Sequence, residues 1–581
     1  MRGRSFRKLF WVGVVLITLV IVTSSCTEKP EPADLVLTNG NIVTMDSDQP
    51  KCEAIAIRGG RITAVGTTTE IEDYVGPTTT VMDLKGQLAV PGFIEGHAHF
   101  YGIGEKKIGL DLSSVSDWDV VVEMVRKAAE ESAPDAWIIG RGWHQEKWSN
   151  VPEPNVEGFP VHDSLSQASP DNPVLLTHAS GHASFANARA MKLSGVTSRT
   201  EPPAGGDILK DTKGQPTGLF RETASRLIRQ ALSKAREARS PEEVQAEKLR
   251  VIKLATEECL SKGVTSFHDA GSPYVFVDLL KELADKSELG VRLYVMLSES
   301  NSALKDKIAQ YHLINYAEGM LTVRSIKRLI DGALGARGAW LLEPYSDMST
   351  STGLNTTSVE SIQETAEIAI TNGFQLCVHA IGDRANRETL DIYQAAFENH
   401  PEKKDLRWRI EHAQHIDPAD IPRFAQLDVI AAMQGIHATS DGPWVVPRLG
   451  EKRASEGAYV WRSLIDSGAL IGNGSDAPVE DVDPLLGYHA SVTRVLRDGS
   501  LFYPDQSMTR EEALRSFTIN NAYAAFEEKD KGSLAPGKLA DITVLSKDIL
   551  TVPAEEILDT RVVYTIVGGQ IAYTATGTMS Q

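Results

Sequence analysis

The sequence predicts an α/β protein: a barrel of parallel strands, joined to a β unit built from both ends of the chain and carrying an inserted subdomain. From about residue 87 to residue 528, apolar strand-like runs alternate with amphipathic helical segments, which is typical of parallel strands joined by crossover helices. Nearly all of these runs end at or near a polar residue able to take part in chemistry, which favours a barrel. Short alternating strands occur at both ends of the chain.

Residues 1–25 have the pattern of a secretion signal, because basic residues precede an apolar run over residues 9–22. The run is short for a bilayer span of about 20 residues, although an uncleaved helical anchor is the alternative. Residues 23–26 resemble the bacterial lipobox, with Thr23 where that motif usually has leucine. We expect secretion across the inner membrane and a lipid anchor on Cys26, in the periplasm or, as Thr27 favours, at the outer membrane. A tether over residues 26–33 follows.

The β unit is expected to combine residues 34–90 with residues 529–581. The first piece contains five short strand-like runs punctuated by glycine and aspartate, and the second contains three. Each piece alone would be a marginal sheet, so pairing the two is the simplest arrangement.

The barrel is predicted over residues 91–528, and its first strand leads into His97 and His99. Alternate residues of a strand project to the same side, so these two histidines are able to hold one cation between them. Two histidines do not complete a metal site, and the alternative is that they are ordinary surface or core residues. The other runs that we interpret as barrel strands are residues 264–269, 324–330, 375–379, 407–412, 429–434 and 470–476.

Residues 134–218 interrupt the alternation of strands and helices. This segment contains three tryptophans, many prolines and a glycine-rich stretch over residues 202–206. We interpret it as an insertion between the first barrel strand and the next. An insertion at the functional end of a barrel would overhang the site.

Composition excludes some partners. The apolar fraction of 42% and the charged fraction of 24% are those of a globular protein, and the net charge of −19 makes nucleic acid an improbable partner. We expect a small-molecule substrate, and contact with a membrane only through the lipid anchor. Whether the chain forms a homo-oligomer is left open. Cys52, Cys259 and Cys377 have no CxxC spacing and are expected to be free thiols.

A set of polar residues on or at the ends of the strand-like runs, with the motifs around it, resembles the metal-dependent amidohydrolase superfamily, in particular its N-substituted formamide deformylase-like branch (amidohydrolase 3). The residues are His97, His99, Lys327, His379, His412 and Asp476. The motifs are ADLVLTNGNIVTMD, PGFIEGHAHF, WIIGRGWHQEKW, GVTSFHDAG, IKRLIDGALGARGA, CVHAIGDRAN, RIEHAQHI, GNGSDAPVE and GSLAPGKLADITVL. The resemblance implies a distorted (β/α)8 TIM barrel flanked by a composite β-sandwich.

The resemblance also implies a metal centre of one or two divalent ions. The HxH pair would bind one metal, His379 and His412 a second, and a carboxylated Lys327 would bridge them. A bare ammonium group cannot ligate a cation, whereas a lysine carbamate presents two oxygens. The alternative for Lys327 is a salt bridge to Asp331 or Glu411 and a mononuclear site. Imidazole and carboxylate ligands suit Zn²⁺ best, with Mn²⁺, Fe²⁺ or Co²⁺ as alternatives.

By the same resemblance, Asp476 is both a ligand and the catalytic base. It would accept the proton of the attacking water and return it to the leaving nitrogen, its alternative being a helix N-cap or turn aspartate. We expect hydrolysis of a C–N bond in a small acyclic amide, such as an N-formyl or N-acyl amine, by a metal-activated hydroxide. The alternatives are a cyclic amide, a carbamate, an ester or an aromatic amine, or a non-catalytic lipid-anchored metal-binding protein, which would have no use for Asp476.

Further polar and aromatic residues are weaker candidates for substrate contact or for orienting the ligands. His182 matches a family motif whose histidine faces the substrate carbonyl, with a structural hydrogen bond as the alternative. His144 stands where relatives often carry aspartate. For Trp143 the alternative is packing in the core, and for Asp383 it is a helix N-cap. The candidates are Trp143, His182, His268, Asp269 and Asp383.

Overall fold

Eight parallel strands form a nearly closed barrel in this computed structural model, which describes residues 30–575. The barrel strands follow one another around the barrel in chain order, which confirms the predicted fold class. A short strand, Leu313–Asn315, pairs antiparallel with the fourth of them. Residues 1–25, predicted to be a secretion signal, and Cys26 lie outside the described residues. Barrel strands 1 to 8 are Phe93–Ala98, Val264–Ser272, Arg292–Leu297, Leu321–Leu329, Gln375–Ala380, Arg409–His412, Ile430–Gln434 and Ile471–Gly474.

Helices cover the outside of the barrel, and the main hydrophobic core lies between them and the strands. None of the helices in residues 30–575 combines the length and the apolar character needed to cross a membrane. The helices that pack around the barrel are Phe100–Ile108, Pro241–Ser261, Tyr274–Asp285, Asn301–Lys307, Val359–Asn372, Asp383–Asn399, Ile421–Gln426, Gly435–Leu449, Glu451–Gly457, Trp461–Asp466, Pro484–Thr493, Arg510–Ser516 and Ile519–Ala524. The helix Ser225–Glu237 packs instead against the strands Ala183–Ala186 and Pro216–Glu222.

The seam between strand 1 and strand 8 is closed by side chains. The side-chain amide of Asn521, from the helix Ile519–Ala524, donates hydrogen bonds to the backbone carbonyls of Ile94 and Asn473, both at 2.7 Å. These carbonyls belong to the two strands that the seam separates. At this seam the Asn521 side chain therefore supplies hydrogen bonds of the kind that the backbone supplies between neighbouring strands elsewhere in the barrel.

A buried carboxylate joins the same two strands. Glu95 accepts hydrogen bonds from the backbone N–H of His97 at 2.9 Å and from the Ser475 hydroxyl at 2.8 Å. The approach requires glycine at position 474, because a Cβ there would lie 2.2 Å from Glu95 Oε1. The seam thus holds His97 next to the residue that follows Ser475, Asp476, whose backbone N–H donates to the His97 carbonyl at 2.8 Å.

Replacing Asn521 by alanine is expected to destabilise the barrel by about 1–3 kcal/mol, because two buried carbonyls lose their donor. Asn520→Ala is the control: its amide donates to the Ile471 carbonyl at 2.9 Å, and its side chain is only partly buried. The thermal unfolding midpoints of the two variants provide the comparison. Equal losses would show that the seam contacts of Asn521 carry no special weight.

The two ends of the chain form a β-sandwich. Strand Ile542–Leu545 pairs antiparallel with Leu88–Pro91, and residues of both sheets share one apolar core. A buried bidentate ion pair between Arg292 of the barrel and Asp541, with its shorter contact at 2.7 Å, ties the sandwich to the barrel. In sheet order the strands are Arg61–Gly66, Ala54–Arg58, Leu35–Thr38 and Thr80–Asp83 in one sheet, and Gln570–Thr574, Val562–Val567, Ile542–Leu545, Leu88–Pro91, Asn41–Val43 and Lys51–Cys52 in the other.

An extra mixed sheet occupies the chain between barrel strands 1 and 2. It begins at Leu110 and ends at Glu222, so it extends past both ends of the predicted segment 134–218. Its helices are Trp118–Glu131, Asp163–Ala168 and Ala188–Leu193. Its strands, in sheet order, are Gly206–Lys210, Pro216–Glu222, Ala183–Ala186, Val174–His178, Ile138–Trp143 and Leu110–Asp111.

The cysteines of the described residues are unpaired. Cys52 is partly buried and Cys259 and Cys377 are fully buried, and none of the three forms a disulfide. The prediction of free thiols is confirmed for these positions.

Candidate metal centre

The HxH pair and Asp476 meet at the end of the barrel where the strands finish. His99 Nε2 lies 3.2 Å from Asp476 Oδ1, and His97 Nε2 lies 3.7 Å from the same oxygen. Asp476 has a backbone φ of +57°, in the left-handed region that non-glycine residues rarely adopt. Such strain is held in place only where the surrounding structure requires it, and it clusters at functional sites.

The other predicted ligands lie beside this group. The imidazole ring of His412 is 4.6 Å from that of His97 and 4.5 Å from that of His379, measured between ring centroids. Lys327 Nζ lies 3.3 Å from His97 Nε2. The structure therefore gathers all six side chains that the sequence singled out into one cluster, in which every member except the partly exposed His99 is buried.

His97 is oriented by a carboxylate that the sequence did not mark for this task. Its Nδ1 forms a short hydrogen bond to Glu411, which leaves Nε2 free to bind a cation. Arg409 in turn donates to Glu411 Oε2 at 3.0 Å and to the Gly96 carbonyl at 2.6 Å. Burial by itself would raise the pKa of Glu411, but Arg409 and His97 outweigh it and hold this pKa well below its usual range. A charged Glu411 thus fixes the ring of His97.

His412 is oriented in the same way by an amide. Its Nδ1 lies 2.7 Å from Gln434 Oε1, so it donates to this oxygen and leaves Nε2 as the free nitrogen. Burial lowers the pKa of His97 to about 4 and that of His412 well below its ordinary value. Both imidazoles are therefore neutral, the form that binds metals.

The residues fit a divalent transition-metal ion. In the described part of the chain, His379 Nε2 and Asp476 Oδ1 are buried and have no hydrogen-bond partner of normal geometry. Leaving a buried polar atom unsatisfied costs about 1–3 kcal/mol. A cation between the rings and the carboxylate would satisfy both atoms, and imidazole nitrogen with carboxylate oxygen is a donor set that such ions prefer.

Lys327 forms no ion pair with Asp331 or Glu411 among residues 30–575, so the salt bridge considered as its alternative is absent. Asp331 instead accepts backbone N–H groups, including that of Gly382 at 2.8 Å and that of Trp340 at 2.9 Å. Burial lowers the pKa of the Lys327 amine. A lowered pKa favours the neutral amine that carboxylation requires.

His437 is a site residue that sequence reasoning left without a role. One donor atom from each of His412, His437 and Asp476 lies within 4.8 Å of the others. His437 Nδ1 is 3.0 Å from Gln414 Nε2, which leaves its buried Nε2 without a partner in the described residues. His437 lies in the helix that begins directly after strand 7, and this position was the available signal.

Three of the weaker candidates contact the cluster or its supports. The ring of His182 lies 5.0 Å from that of His379, and its Nδ1 lies 2.7 Å from Glu222 Oε2. His268 Nδ1 lies 3.1 Å from Arg409, which holds Glu411 and through it His97. Asp269, the third, accepts the N–H of Phe100 at 3.0 Å and so fixes the helix that follows His99.

Two weaker candidates are corrected by the structure. Trp143 has no exposed surface and donates from Nε1 to the Leu176 carbonyl at 3.0 Å, so it packs in the core of the inserted sheet and cannot touch a substrate. Asp383 accepts the N–H groups of Leu342 and Arg384, at 2.8 and 2.9 Å. It ties a loop to its own helix, whose N-cap is Gly382, and bonds to none of the predicted ligands.

Two cavities of very different size open on the cluster. A chamber of about 50 Å³ is lined by His412, His437 and Asp476. A cavity of about 920 Å³ is lined by His99 and Lys327. His144, with its ring 4.7 Å from that of Trp444, lines the chamber. His182 lines both spaces, so the cluster stands where they meet.

The barrel and the ligand cluster at the carboxyl ends of its strands define the class of metal-dependent hydrolases. The chain belongs to the amidohydrolase family, whose model matches residues 80–573.

Relatives align with nearly the whole chain. It is 33% identical over 557 residues to "Protein LONG AFTER FAR-RED 3" of Arabidopsis thaliana, covering 93% of this chain and 92% of that protein. It is 28% identical over 556 residues to "N-substituted formamide deformylase" of Arthrobacter pascens, covering 94% and 99%. The crystal structure of an uncharacterized metal-dependent hydrolase from Pyrococcus furiosus superposes with a TM-score of 0.67 at 28% identity, covering 89% of this chain and 100% of that one.

Proposed function

We propose that this hydrolase cleaves the C–N bond of a small acyclic amide, such as an N-formyl or N-acyl amine. The observation that carries the proposal is the contact of one carboxylate, Asp476, with the histidines of the ligand cluster. The similarity over 94% of the chain to an enzyme named N-substituted formamide deformylase supports the choice of bond. The chamber of about 50 Å³ supports a small acyl group, because its volume corresponds to about three or four water positions.

The metal would be held by the residues already described. His97, His99 and Asp476 would hold one ion, and a second would be held by His379 and His412, with a carboxylated Lys327 between the two. We propose Zn²⁺, because donor sets of histidine nitrogen and carboxylate oxygen suit it best. When bound, it supplies Lewis-acid polarisation of a carbonyl and a lowered pKa for water.

Asp476 would move the proton. Burial alone would raise the pKa of Asp476, but the hydrogen bond from His99 opposes burial, and this pKa lies well below its ordinary value. The carboxylate is therefore ionised at the start of turnover. It would accept a proton from the attacking water and return it to the leaving nitrogen, which departs as an amine.

His182 would hold the substrate carbonyl. Burial lowers its pKa, but the neighbouring Glu222 outweighs burial, so the pKa of His182 lies above its ordinary value. A His182 held by Glu222 through Nδ1 keeps Nε2 as a donor toward the space between chamber and cavity. A hydrogen bond from this nitrogen would stabilise the negative charge that develops on the carbonyl oxygen.

The reaction is tested with a panel of N-formyl, N-acetyl and carbamoyl amines. Protein loaded with Zn²⁺ is expected to release amine from at least one member, and chelator-treated protein is expected not to. Release of alcohol from matched esters, with none of the amides cleaved, would show that the enzyme cuts a different bond.

Metal content tests the ligands directly. Wild-type protein is expected to hold up to two divalent ions per chain, and His97→Ala and His379→Ala are expected to lower that number. His400→Ala is the matched control, because its ring pairs with the half-exposed Glu367 at 2.9 Å on the outside of the barrel. Elemental analysis after incubation with Zn²⁺ provides the measurement. Only trace metal in folded wild-type protein would overturn the site.

We also propose that the protein is carried across the inner membrane and held at a membrane by lipid on Cys26. Cys26→Ser is expected to release the protein into the soluble fraction or to leave it as an unprocessed precursor. Because stable attachment takes more than one acyl chain, the wild type is expected to resist salt washes. Mass spectrometry of the N-terminus and membrane fractionation provide the measurement. An intact N-terminus with unchanged membrane binding in both proteins would show a helical anchor instead.

A further inference from the structure

The large cavity beside the metal centre contains three arginines. Arg141 lies on the strand Ile138–Trp143 of the inserted sheet, and Arg226 and Arg229 lie three residues apart on the helix Ser225–Glu237. Side chains at this spacing share one face of a helix. The cavity also contains His99 and Lys327, so the arginines and the ligand cluster open on one space.

None of the three guanidinium groups forms an ion pair with a residue in the range 30–575. The Nε of Arg141 is buried and has no hydrogen-bond partner in that range. Burial lowers the pKa of Arg141 to about 10, so the group stays charged at neutral pH. Arg141 thus places an unpaired positive charge at the cavity, and the exposed Arg226 and Arg229 add two more.

The carboxylates of the same cavity are already engaged. Glu105 pairs with Arg236 at 3.2 Å, Glu222 with His182 at 2.7 Å, and Glu299 accepts the N–H of Tyr274 at 2.8 Å. None of these three carboxylates forms an ion pair with Arg141, Arg226 or Arg229.

A fourth arginine that lines the cavity, Arg328, is held by hydrogen bonds within the fold. Arg328 donates to the Thr365 hydroxyl at 2.9 Å, to the Lys327 carbonyl at 2.9 Å and to the Asn301 side chain at 2.8 Å. Arg141, by contrast, makes one hydrogen bond, of 3.3 Å, to the Ala179 carbonyl. Arg141 is therefore not explained by packing of the fold, and Arg226 and Arg229 are exposed residues that line the same cavity.

We infer that Arg141, Arg226 and Arg229 bind a carboxylate of the substrate, so that the enzyme acts on amides whose amine part carries a carboxylate. A guanidinium group donates two parallel hydrogen bonds to a carboxylate, and partial enclosure strengthens the attraction. The small chamber would take the acyl group and the large cavity the carboxylate-bearing amine. The inference rests on the proposed function for the reaction but not for the binding of the anion.

Matched substrates test the inference. In each pair, an N-acyl amino acid is compared with the N-acyl amine that lacks only the carboxylate, such as N-acetylphenylalanine and N-acetylphenethylamine. The wild type is expected to prefer the carboxylate member by about 10-fold or more in kcat/KM, from the usual strength of charged hydrogen bonds. Equal or better cleavage of the neutral members would overturn the inference and leave the proposed function intact.

Variants of the arginines test whether these residues cause the preference for the carboxylate-bearing substrate. Arg141→Gln and Arg229→Gln are expected to raise KM for the carboxylate member about 10-fold or more, with kcat/KM for the neutral member little changed. Arg229 is solvent-accessible, so its variant is expected to fold. Lys234→Gln is the control, because it removes one positive charge from an exposed position on the same helix, outside the cavity.

If no amide is cleaved, measurements of binding test whether the arginines hold a carboxylate. Calorimetry with N-acetylphenylalanine on metal-loaded wild type and Arg229→Gln is expected to show binding that the variant weakens about 10-fold or more, and N-acetylphenethylamine is expected to bind weakly to both. Equal binding of the two compounds, or no effect of either arginine variant, would overturn the carboxylate site. Binding without cleavage would support the carboxylate site and overturn the proposed reaction.

Discussion

Asp476→Asn is expected to lower the rate of amide hydrolysis by about 10²–10⁴, the usual contribution of general acid–base catalysis. The amide keeps the shape of the side chain and one oxygen, so most metal is expected to stay bound through the four histidines and Lys327. What is lost is the proton acceptor, because an amide cannot take a proton from water at neutral pH. The steady-state rate with the best amide of the panel provides the measurement.

Two controls make this result interpretable. Metal content of the variant must match that of the wild type, and Asp481→Asn, which neutralises an exposed carboxylate five residues further along the chain, is expected to leave the rate unchanged. A variant with full metal content and a near wild-type rate would show that Asp476 is not the proton shuttle and that the mechanism proposed above is wrong.

Arg409→Met is expected to destabilise the protein by about 3–5 kcal/mol, because it removes one partner of a buried ion pair and leaves Glu411 uncompensated. Glu411 and Arg409 are both essentially inaccessible to solvent. The same change frees the carboxylate that orients His97, so metal content is expected to fall with stability. Thermal unfolding and elemental analysis of one preparation provide both measurements.

Arg126→Met is the matched control for this prediction. Arg126 pairs with Glu123 at 3.2 Å on an exposed helix face, where an ion pair contributes between nothing and about 1 kcal/mol. If Arg409→Met unfolds at the temperature of the control and keeps full metal, the Arg409–Glu411 pair does not support the site.

The sequence was most informative where a strand ends on a chemically distinctive residue. His97, His379, His412 and Asp476 all stand at or near the ends of strand-like runs, and the structure places each of these runs on the barrel. Strand 3, Arg292–Leu297, was not among the predicted strands, because a short, mostly apolar run of this kind is equally compatible with a buried helix.

Residues that act across the fold were beyond sequence reasoning. Glu95 and Arg409 are buried charges whose partners lie hundreds of positions away, such as Ser475 for Glu95 and the Gly96 carbonyl for Arg409. The hydrophobic periodicity of the sequence gives no information about contacts between residues so far apart along the chain. The inserted sheet was predicted too short because the two-residue strand Leu110–Asp111 at its edge has no pattern of its own.

The side-chain seam of the barrel has a consequence for how the protein becomes active. His97 comes from the first strand and Asp476 follows the last, and the seam residues Glu95 and Asn521 draw together segments that are synthesised early and late. Contacts at such sequence separation are slow to form because a long loop must close first. A chain that stops before residue 476 lacks one of the three side chains proposed to hold the first metal ion, so this position is complete only after the last barrel strand has been made and has docked.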